Sequence, residues 1–278
     1  MNPLISHLIN ALRSYYPESE LRELAFLIAE EVTGMSRTQL LLDDRKDTQN
    51  IPNIETILQK LRQYEPVQYI FSHTEWMGLN LKVTPDTLIP RPETAELVEW
   101  VLQKFPQQQA GISSYKVADI GTGSGCIAIA LKRHRPQWQI TGIDICENTL
   151  LVAKENSRQN KVDVDWKQND ILINDIGWFD IIVSNPPYVC EHERATMSDN
   201  VLLYEPERAL FVPDDDPLRF YKRIASIKRS THLFFEINEK FGTDVCHLLQ
   251  RLGYVDIQLK NDMYGKPRMV YARIADEG

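Results

Sequence analysis

The segment Asn185-Pro186-Pro187-Tyr188 carries the side chains best suited to chemistry, and it directly follows an apolar run at residues 179–184. Proline fixes its own φ, disfavours a helical residue before it and donates no backbone hydrogen bond, so the segment is stiff. The Asn185 side-chain oxygen and the Pro186 carbonyl can each accept one N–H of a planar –NH2 group, while the Tyr188 ring offers a flat face. The pattern predicts a clamp for an amide or amine. Asn185, Pro186 and Tyr188 are its candidate catalytic residues, and all four residues are candidate substrate contacts. A proline-stiffened turn without a ligand is the alternative.

A glycine-rich turn provides a second candidate site. It follows a predicted strand at residues 115–120, precedes a helical pattern, and consists of Gly121, Thr122, Gly123, Ser124 and Gly125. Glycines let a ligand approach the backbone closely, and the helix N-terminus adds a positive partial charge, so a nucleotide-like ligand is predicted. The spacing alone fits nicotinamide, flavin and S-adenosylmethionine folds, and also a tight turn with no ligand.

Asp144 follows a second predicted strand at residues 138–143, where an acid can accept both hydroxyls of a ribose. The clamp at Asn185 decides between the possible cofactors, because hydride transfer has no use for a grip on an –NH2 group whereas methylation of that group does. The predicted cofactor is therefore S-adenosylmethionine, bound by the glycine turn, Asp144 and Asn185.

These motifs resemble those of class I methyltransferases that act on amino or amide nitrogen, and further segments resemble the PrmC/HemK family of release factor glutamine methyltransferases. The further segments are residues 88–94, Tyr204-Glu205-Pro206 with Ala209-Leu210, Phe235-Glu236-Ile237, and Asp262 with Gly265 and Arg268. The resemblance implies methyl transfer from S-adenosylmethionine to the glutamine amide in the Gly-Gly-Gln loop of peptide chain release factors. It also implies an adenine contact at Asp170 and Ile171, which would be apolar here. The chain departs from the family at residues 211–218, where many members have a glycine-rich stretch.

The fold class expected is α/β: a Rossmann-like class I methyltransferase with a mostly parallel sheet and helices on both faces. The further strands are predicted at residues 162–166, 181–184, 233–237, 255–260 and 269–272. We expect a helical N-terminal domain at residues 1–72, because apolar residues recur there at helical spacing. In the resembled family this domain helps to position the protein substrate. A β-hairpin linker at residues 73–90 and the catalytic domain at residues 91–278 complete the prediction.

Composition fits a cytoplasmic enzyme. The four cysteines are scattered, so neither a disulfide framework nor a metal site is predicted. No apolar stretch is long enough to span a bilayer, and the N-terminal residues lack the basic-then-apolar pattern expected of a secretory signal. The formal charge of −8 and the lack of a long basic stripe argue against direct binding of nucleic acid.

The sequence is compatible with two other functions. Adenine-N6 methylation of nucleic acid uses a similar clamp on an exocyclic amine. A cofactor-binding scaffold without turnover is the second. No general base is nominated: His192, Glu191 and Glu193 lie close to the clamp, but polar loop residues of this kind are expected to be solvated.

Overall fold

The computed structural model describes residues 2–42, 53–106 and 114–275, which fold into two compact units. Met1–Ser72 and Ser198–Tyr204 form the first unit, and His73–Met197 and Glu205–Gly278 form the second. In chain order the elements are α1 (Pro3–Leu12), α2 (Glu18–Thr33), α3 (Arg37–Leu42), α4 (Ile54–Arg62), α5 (Val67–Phe71), β1 (His73–Trp76), β2 (Leu79–Lys82), α6 (Pro92–Lys104), β3 (Lys116–Ile120), α7 (Cys126–His134), β4 (Gln139–Asp144), α8 (Glu147–Gln159), β5 (Asp165–Gln168), β6 (Phe179–Ser184), β7 (Val189–Cys190), α9 (Asp199–Tyr204), β8 (Phe211–Val212), α10 (Arg219–Ser226), β9 (Ser230–Glu236), α11 (Gly242–Arg251), β10 (Tyr254–Asn261) and β11 (Pro267–Ile274).

The first unit is helical, as the spacing of its apolar residues predicts. α1 begins behind Asn2, whose side-chain oxygen accepts a hydrogen bond from the Leu4 N–H and so satisfies a free donor at the helix start. Tyr204 in α9 donates a hydrogen bond to the Gln63 carbonyl at 2.9 Å, which ties α9 to the end of α4. The buried apolar faces of the helices form one core, which includes Leu8, Leu12, Leu21, Ile28 and Leu58.

The second unit is built around a seven-stranded sheet in the order β10-β11-β9-β6-β3-β4-β5. The strands β9, β6, β3, β4 and β5 are parallel, whereas β11 and β10 are antiparallel to their neighbours. The chain winds from β3 through β4 to β5, returns to β6 on the other side of β3, and moves on to β9. The strand order therefore reverses between β3 and β6, and the loops that leave these strands diverge to open a crevice.

Helices cover both faces of the sheet because its central strands are apolar on both sides. Val117 and Ile181 belong to the core that also contains the buried side chains of α6 and α7, and the hairpin β1–β2 adds Trp76 to it. Ala118 and Ile182 point to the opposite face and pack with α10 and α11. The predicted class, a mostly parallel sheet between two helical layers, is confirmed.

The predicted strands are confirmed with one shift. The strand predicted at residues 162–166 forms at Asp165–Gln168 instead. The Val162 N–H donates to the Ser157 carbonyl at 3.0 Å, so this part of the chain closes the end of α8 before β5 starts. The apolar residues that favour a strand here belong instead to the end of the helix.

The segment at residues 211–218, where the chain departs from the resembled family, begins as strand β8. It pairs in parallel with β7, which directly follows the predicted clamp: Val189 lies opposite Phe211, and Cys190 lies opposite Val212. The Asp216 N–H then donates to the Pro213 carbonyl at 3.2 Å and forms a turn. Among the residues described, no helix has both the length and the apolar character needed to cross a membrane.

Candidate active site

The carboxyl ends of β3, β4, β5 and β6 meet around a cavity of about 280 Å³. The four strands are parallel, so residues that follow them come together although they are far apart in the chain. The predicted site residues that line the cavity are Gly121, Gly123, Asp144, Asp170, Ile171, Asn185 and Pro187. The remaining predicted residues are not among those that line the cavity, and they are Thr122, Ser124, Gly125, Pro186 and Tyr188.

The glycine turn is anchored to the neighbouring strand by its backbone. The N–H groups of Gly121 and Thr122 both donate to the Ile143 carbonyl at the end of β4, at 2.9 and 3.0 Å. The Gly125 N–H closes the turn onto the Thr122 carbonyl at 2.8 Å. The carbonyl of buried Ser124 accepts a hydrogen bond from the Asn156 amide at 2.8 Å. These bonds hold the turn against β4 and α8.

Glycine is required in this turn for two different reasons. Gly125 has a φ of +84°, and a Cβ there would lie 2.8 Å from the Trp166 ring, so both conformation and space exclude a larger residue. Gly123 has a φ of +55° but nothing within 4 Å of a Cβ position. It is open on the cavity side, where a ligand can approach its backbone.

A buried carboxyl group supports the turn from below. Asp119 is fully buried, and its Oδ2 accepts hydrogen bonds from the Thr122 hydroxyl at 2.5 Å and from the Ala128 N–H at 3.2 Å. Burial raises the pKa of Asp119 to about 7, because the charged form is poorly solvated there. Asp119 thus links the turn to the first residues of α7.

Asp144 ends β4 and faces the cavity with its carboxyl group. One oxygen accepts a hydrogen bond from the Gly123 N–H and the other accepts one from the Cys146 N–H, both at 3.0 Å. Burial raises the pKa of Asp144, while these two backbone donors act in the opposite direction. The carboxyl group is therefore fixed in orientation, and its oxygens keep lone pairs that can accept from a ligand hydroxyl.

Asn185 follows β6 on the opposite side of the crevice. Its Nδ2 donates to the Thr94 hydroxyl at 3.1 Å, and that hydroxyl donates to Glu236 Oε2 at 2.7 Å. The Asn185 Oδ1 accepts no hydrogen bond from the described part of the chain. The amide therefore has its donor end anchored in the protein, while its acceptor end stays available at the cavity.

Tyr188 is held by the same carboxyl group. Its hydroxyl donates to Glu236 Oε1 at 3.1 Å, and its carbonyl accepts a hydrogen bond from the Asn238 amide at 3.2 Å. Burial, together with the adjacent Glu236 charge, raises the pKa of Tyr188, so it remains a neutral phenol. The segment is thus fixed at both its first and its last residue.

Several cavity residues carried no signal in the sequence. They are Asp86, Ile120, Ile143, Ile145, Thr149, Asn169, Leu172, Arg208 and Phe220. Phe220 comes from α10 and gives the wall an aromatic side chain in addition to apolar Ile171. Leu88 and Ala209 also line the cavity, and both lie in segments that resemble the family. Thr94 and Glu236 lie in such segments as well, but the resemblance gave them no role.

The polar residues after the clamp lie outside the cavity lining. His192 is exposed, and its Nδ1 lies 2.8 Å from Asp214 Oδ1. Glu193 is not solvated as expected: it accepts hydrogen bonds from the Cys190 N–H, the Asn238 amide and Lys240. Possible ligand atoms of Cys190, His192 and Asp214 lie within 4.8 Å of one another. The absence of a metal site stays a prediction.

Comparison with known proteins gives consistent results for both units. Residues 4–71 match the PrmC N-terminal domain family, and residues 98–211 match the methyltransferase small domain family. The release factor glutamine methyltransferase of Bacteroides thetaiotaomicron is 38% identical over 98% of this chain and 99% of its own length. That of Flavobacterium psychrophilum is 39% identical over 94% of this chain and 95% of its own.

Solved structures agree on the fold. The Thermus thermophilus 16S rRNA N2 G1207 methyltransferase RsmC, solved with AdoMet and guanosine, matches with a TM-score of 0.52 at 17% identity. The match covers 73% of this chain and 50% of RsmC. At this identity the likeness concerns the arrangement of strands and helices.

Proposed function

Because the chain belongs to the family of release factor glutamine methyltransferases, we propose that it methylates the side-chain amide nitrogen of a glutamine in a peptide chain release factor. The methyl donor is S-adenosylmethionine, and the acceptor is the glutamine of the Gly-Gly-Gln loop. The observation that carries the proposal is the Asn185 amide, held at the carboxyl end of β6 with its oxygen free at the cavity. A release factor substrate would place the reaction in the cytoplasm.

The cavity fits a cofactor of this class. On one side Gly121 and Gly123 line the cavity, nothing lies within 4 Å of a Cβ position at Gly123, and Asp144 offers a carboxyl acceptor suited to ribose hydroxyls. On the other side Ile171 and Phe220 form an apolar wall suited to a base. When bound, S-adenosylmethionine supplies a methyl group on a sulfonium, whose sulfur keeps the electron pair of the broken bond.

A glutamine amide is a poor nucleophile, and the clamp compensates for this. The lone pair of its nitrogen is delocalised by the resonance that keeps peptide bonds planar. The Asn185 Oδ1 and the Pro186 carbonyl each accept one N–H of the substrate amide. These two bonds orient the nitrogen and stabilise the positive charge that develops on it during methyl transfer. As the new N–C bond forms, the nitrogen becomes acidic and loses its extra proton to water, so the proposal needs no general base.

The Tyr188 ring and the Pro187 ring complete the substrate side. Pro187 lines the cavity, and Tyr188 is anchored through its hydroxyl to Glu236. A rigid aromatic face beside the clamp restricts the substrate amide to one plane. We further propose that the helical domain at residues 1–72 positions the release factor, and that residues 91–278 form the catalytic domain, with residues 73–90 as the link.

Adenine-N6 methylation is the weaker alternative. The chain's formal charge of −8 disfavours a polyanionic substrate, and the named activity of the relatives is glutamine methylation. A scaffold without turnover is also weaker, because a binding protein has no need for an amide oxygen fixed in an orientation that suits substrate activation.

The test is transfer of labelled methyl from S-adenosylmethionine to a purified release factor. A copy of the factor with the glutamine of its Gly-Gly-Gln loop changed, and duplex DNA, serve as parallel acceptors. We expect label only on the intact factor. Label on DNA would support the alternative substrate, and no label on any acceptor would overturn the proposal.

Asn185→Ala tests the role of the clamp. Loss of the amide oxygen should lower kcat by about 100-fold, the scale seen when one group that stabilises a transition state is removed. The dissociation constant of S-adenosylmethionine should stay within about twofold. Asn160→Ala is the matched control, because the Asn160 amide bonds the Asn80 carbonyl away from the cavity. Equal loss of turnover and cofactor binding in Asn185→Ala would contradict this role.

A further inference from the structure

We propose that Glu236 is a positioning residue that acts through Thr94 to fix which end of the Asn185 amide faces the cavity. The inference rests on the proposed function, in which the amide oxygen must face the substrate. An asparagine amide has nearly the same shape in its two flipped orientations, so packing alone cannot choose between them. The hydrogen-bond partners of Asn185 must make the choice.

Glu236 is placed where it can make that choice. It is the last residue of β9 and is fully buried. Its two oxygens have different partners: Oε2 accepts from the Thr94 hydroxyl at 2.7 Å, and Oε1 accepts from the Tyr188 hydroxyl at 3.1 Å. Burial excludes water that would otherwise compete for these bonds.

The direction of each hydrogen bond follows from which groups can donate a hydrogen and which can only accept one. An ionised carboxylate only accepts, so the Thr94 hydroxyl must donate its one hydrogen to Glu236. The same hydroxyl can then only accept from Asn185. The amide must present its –NH2 end to Thr94, as it does in the structure, and this leaves its oxygen for the cavity that Asn185 lines.

The reversed amide would disable the clamp. With the –NH2 of Asn185 at the cavity, a donor would face the –NH2 of the substrate glutamine, and neither group could accept. Without a carboxylate at position 236, the Thr94 hydroxyl is free to donate to Asn185 Oδ1 and so to stabilise this reversed state. Glu236 therefore acts on Asn185 without touching the substrate.

Each oxygen of Glu236 faces a hydroxyl donor, Thr94 or Tyr188, although the pKa of Glu236 is raised overall. Burial raises its pKa, whereas the hydrogen bonds from Thr94 and Tyr188 and the nearby Arg268 guanidinium act in the opposite direction. Arg268 is itself held by Asp262, whose Oδ2 lies 3.1 Å from its Nε. Three segments that resemble the family, containing Thr94, Glu236 and Arg268, thus join in one network behind the clamp.

The experiment compares Thr94→Val, which removes the hydroxyl at constant shape, with Thr94→Ser, which keeps it. We expect Thr94→Val to lower kcat for release factor methylation by about 10- to 100-fold, the scale for misplacing a catalytic group. The dissociation constant of S-adenosylmethionine should stay within about twofold, and Thr94→Ser should recover most of the lost kcat. The kcat of Glu236→Gln should lie between those of Thr94→Val and Thr94→Ser, because a glutamine amide can face Thr94 with either end.

Tyr221→Phe is the matched control for the stability that the protein loses when a buried hydroxyl is removed. The Tyr221 hydroxyl donates to the backbone carbonyl of Glu236 at 3.1 Å and does not contact the carboxylate. This variant should lower the melting temperature and leave kcat near the wild-type value. Equal kcat in Thr94→Val and wild type would overturn the proposal. So would a Thr94→Ser variant as slow as Thr94→Val, or a loss of kcat that follows melting temperature across all variants.

A second measurement separates this inference from the proposed function. The side-chain ¹⁵N–¹H signals of Asn185, assigned by their absence in Asn185→Ala, report its orientation without any substrate. In the wild type one N–H should exchange slowly because it is bonded to Thr94, and this protection should be lost in Thr94→Val. If the wild type methylates no release factor, the proposed function fails while this signal still decides the orientation. Unchanged exchange in Thr94→Val would reject the positioning role.

Discussion

The glycine turn after β3 and the Asn185–Tyr188 clamp after β6 flank the same crevice, yet they are held in place by different means. The turn is held through its own backbone groups, chiefly by the Ile143 carbonyl, 22 residues after Gly121, and its buried carboxyl group, Asp119, lies only three residues before Thr122. The clamp is held by side chains from distant segments. Thr94 lies 91 residues before Asn185, and Glu236 lies 48 residues after Tyr188.

This difference separates the expected effects of mutation. Changes in the turn alter backbone conformation, so they should affect folding and cofactor binding together. Changes behind the clamp alter the orientation of one amide, so they should affect turnover while folding and cofactor binding survive.

The largest combined effect on folding and cofactor binding is expected for Gly125→Ala. The new Cβ would meet the Trp166 ring at 2.8 Å and Ala153 and Ile129 at 3.1 Å, in a backbone conformation that alanine disfavours. We expect the free energy of unfolding to fall by about 2–4 kcal/mol, from overpacking plus strain, with a matching loss of cofactor affinity. Urea unfolding and calorimetric titration measure the two effects.

Gly123→Ala is the control for this prediction. Its φ is also positive, but nothing lies within 4 Å of the added Cβ. It should cost only the conformational penalty of about 1 kcal/mol. If both variants were equally destabilised, backbone conformation alone, and not the space beside Trp166, would explain the need for glycine.

The same contrast explains how far the sequence could be used for prediction. The turn, Asp144 and the strand before Asn185 are local patterns, and the sequence placed them correctly at one edge of a parallel sheet. The support of the clamp depends on which distant residues the fold brings behind it. Thr94 and Glu236 lay in segments that resemble the family, but nothing local indicated that they contact Asn185.

Phe220 illustrates the same limit, whereas the shifted strand β5 has a local cause. Phe220 lies in an amphipathic helix, where an aromatic residue is expected in the core and nothing marks it as part of a cavity wall. Val162 and Val164 favour a strand by their type. A local bond from the Val162 N–H to the Ser157 carbonyl, five residues earlier in the chain, instead makes Val162 part of the end of α8.

Asp119→Asn tests the carboxyl group below the glycine turn. Its pKa is raised from 3.8 to about 7 in the folded state, so the folded protein holds this proton more tightly than the unfolded chain. Wild-type stability should therefore decline as pH rises from about 4 to about 7, at up to roughly 1.4 kcal/mol for each pKa unit. An asparagine at 119 lacks this titration.

The measurement is the free energy of unfolding of wild type and Asp119→Asn in urea between pH 4 and pH 8. The difference between them should shift in favour of the variant as pH rises and should level off above about pH 7. Parallel pH profiles would mean that Asp119 titrates alike in both states and that its burial does not strain the turn.

Asp144→Asn tests the cofactor side of the crevice. The carboxyl group accepts from the N–H groups of Gly123 and Cys146 through separate oxygens, and an amide has only one oxygen. One backbone donor loses its partner, and one acceptor for the ribose is lost. We expect S-adenosylmethionine to bind about tenfold more weakly, equivalent to about 1.4 kcal/mol. At saturating cofactor, kcat should be unchanged, and a lower kcat there would show that Asp144 also acts in the methyl transfer.

The smallest effect is expected for Tyr188→Phe, a change within the clamp itself. The change keeps the aromatic face and removes only the hydroxyl that donates to Glu236 Oε1. Thr94 still donates to Oε2, so Glu236 remains able to set the direction of the Asn185 amide.

We expect a stability loss of about 1 kcal/mol in Tyr188→Phe, since one oxygen of a buried carboxylate loses its donor. The fall in kcat should be only two- to fivefold, well below that of Thr94→Val. Steady-state kinetics on both variants decides the point, because a Tyr188→Phe loss as large as that of Thr94→Val would mean that the ring's anchorage, and not the amide's orientation, limits turnover.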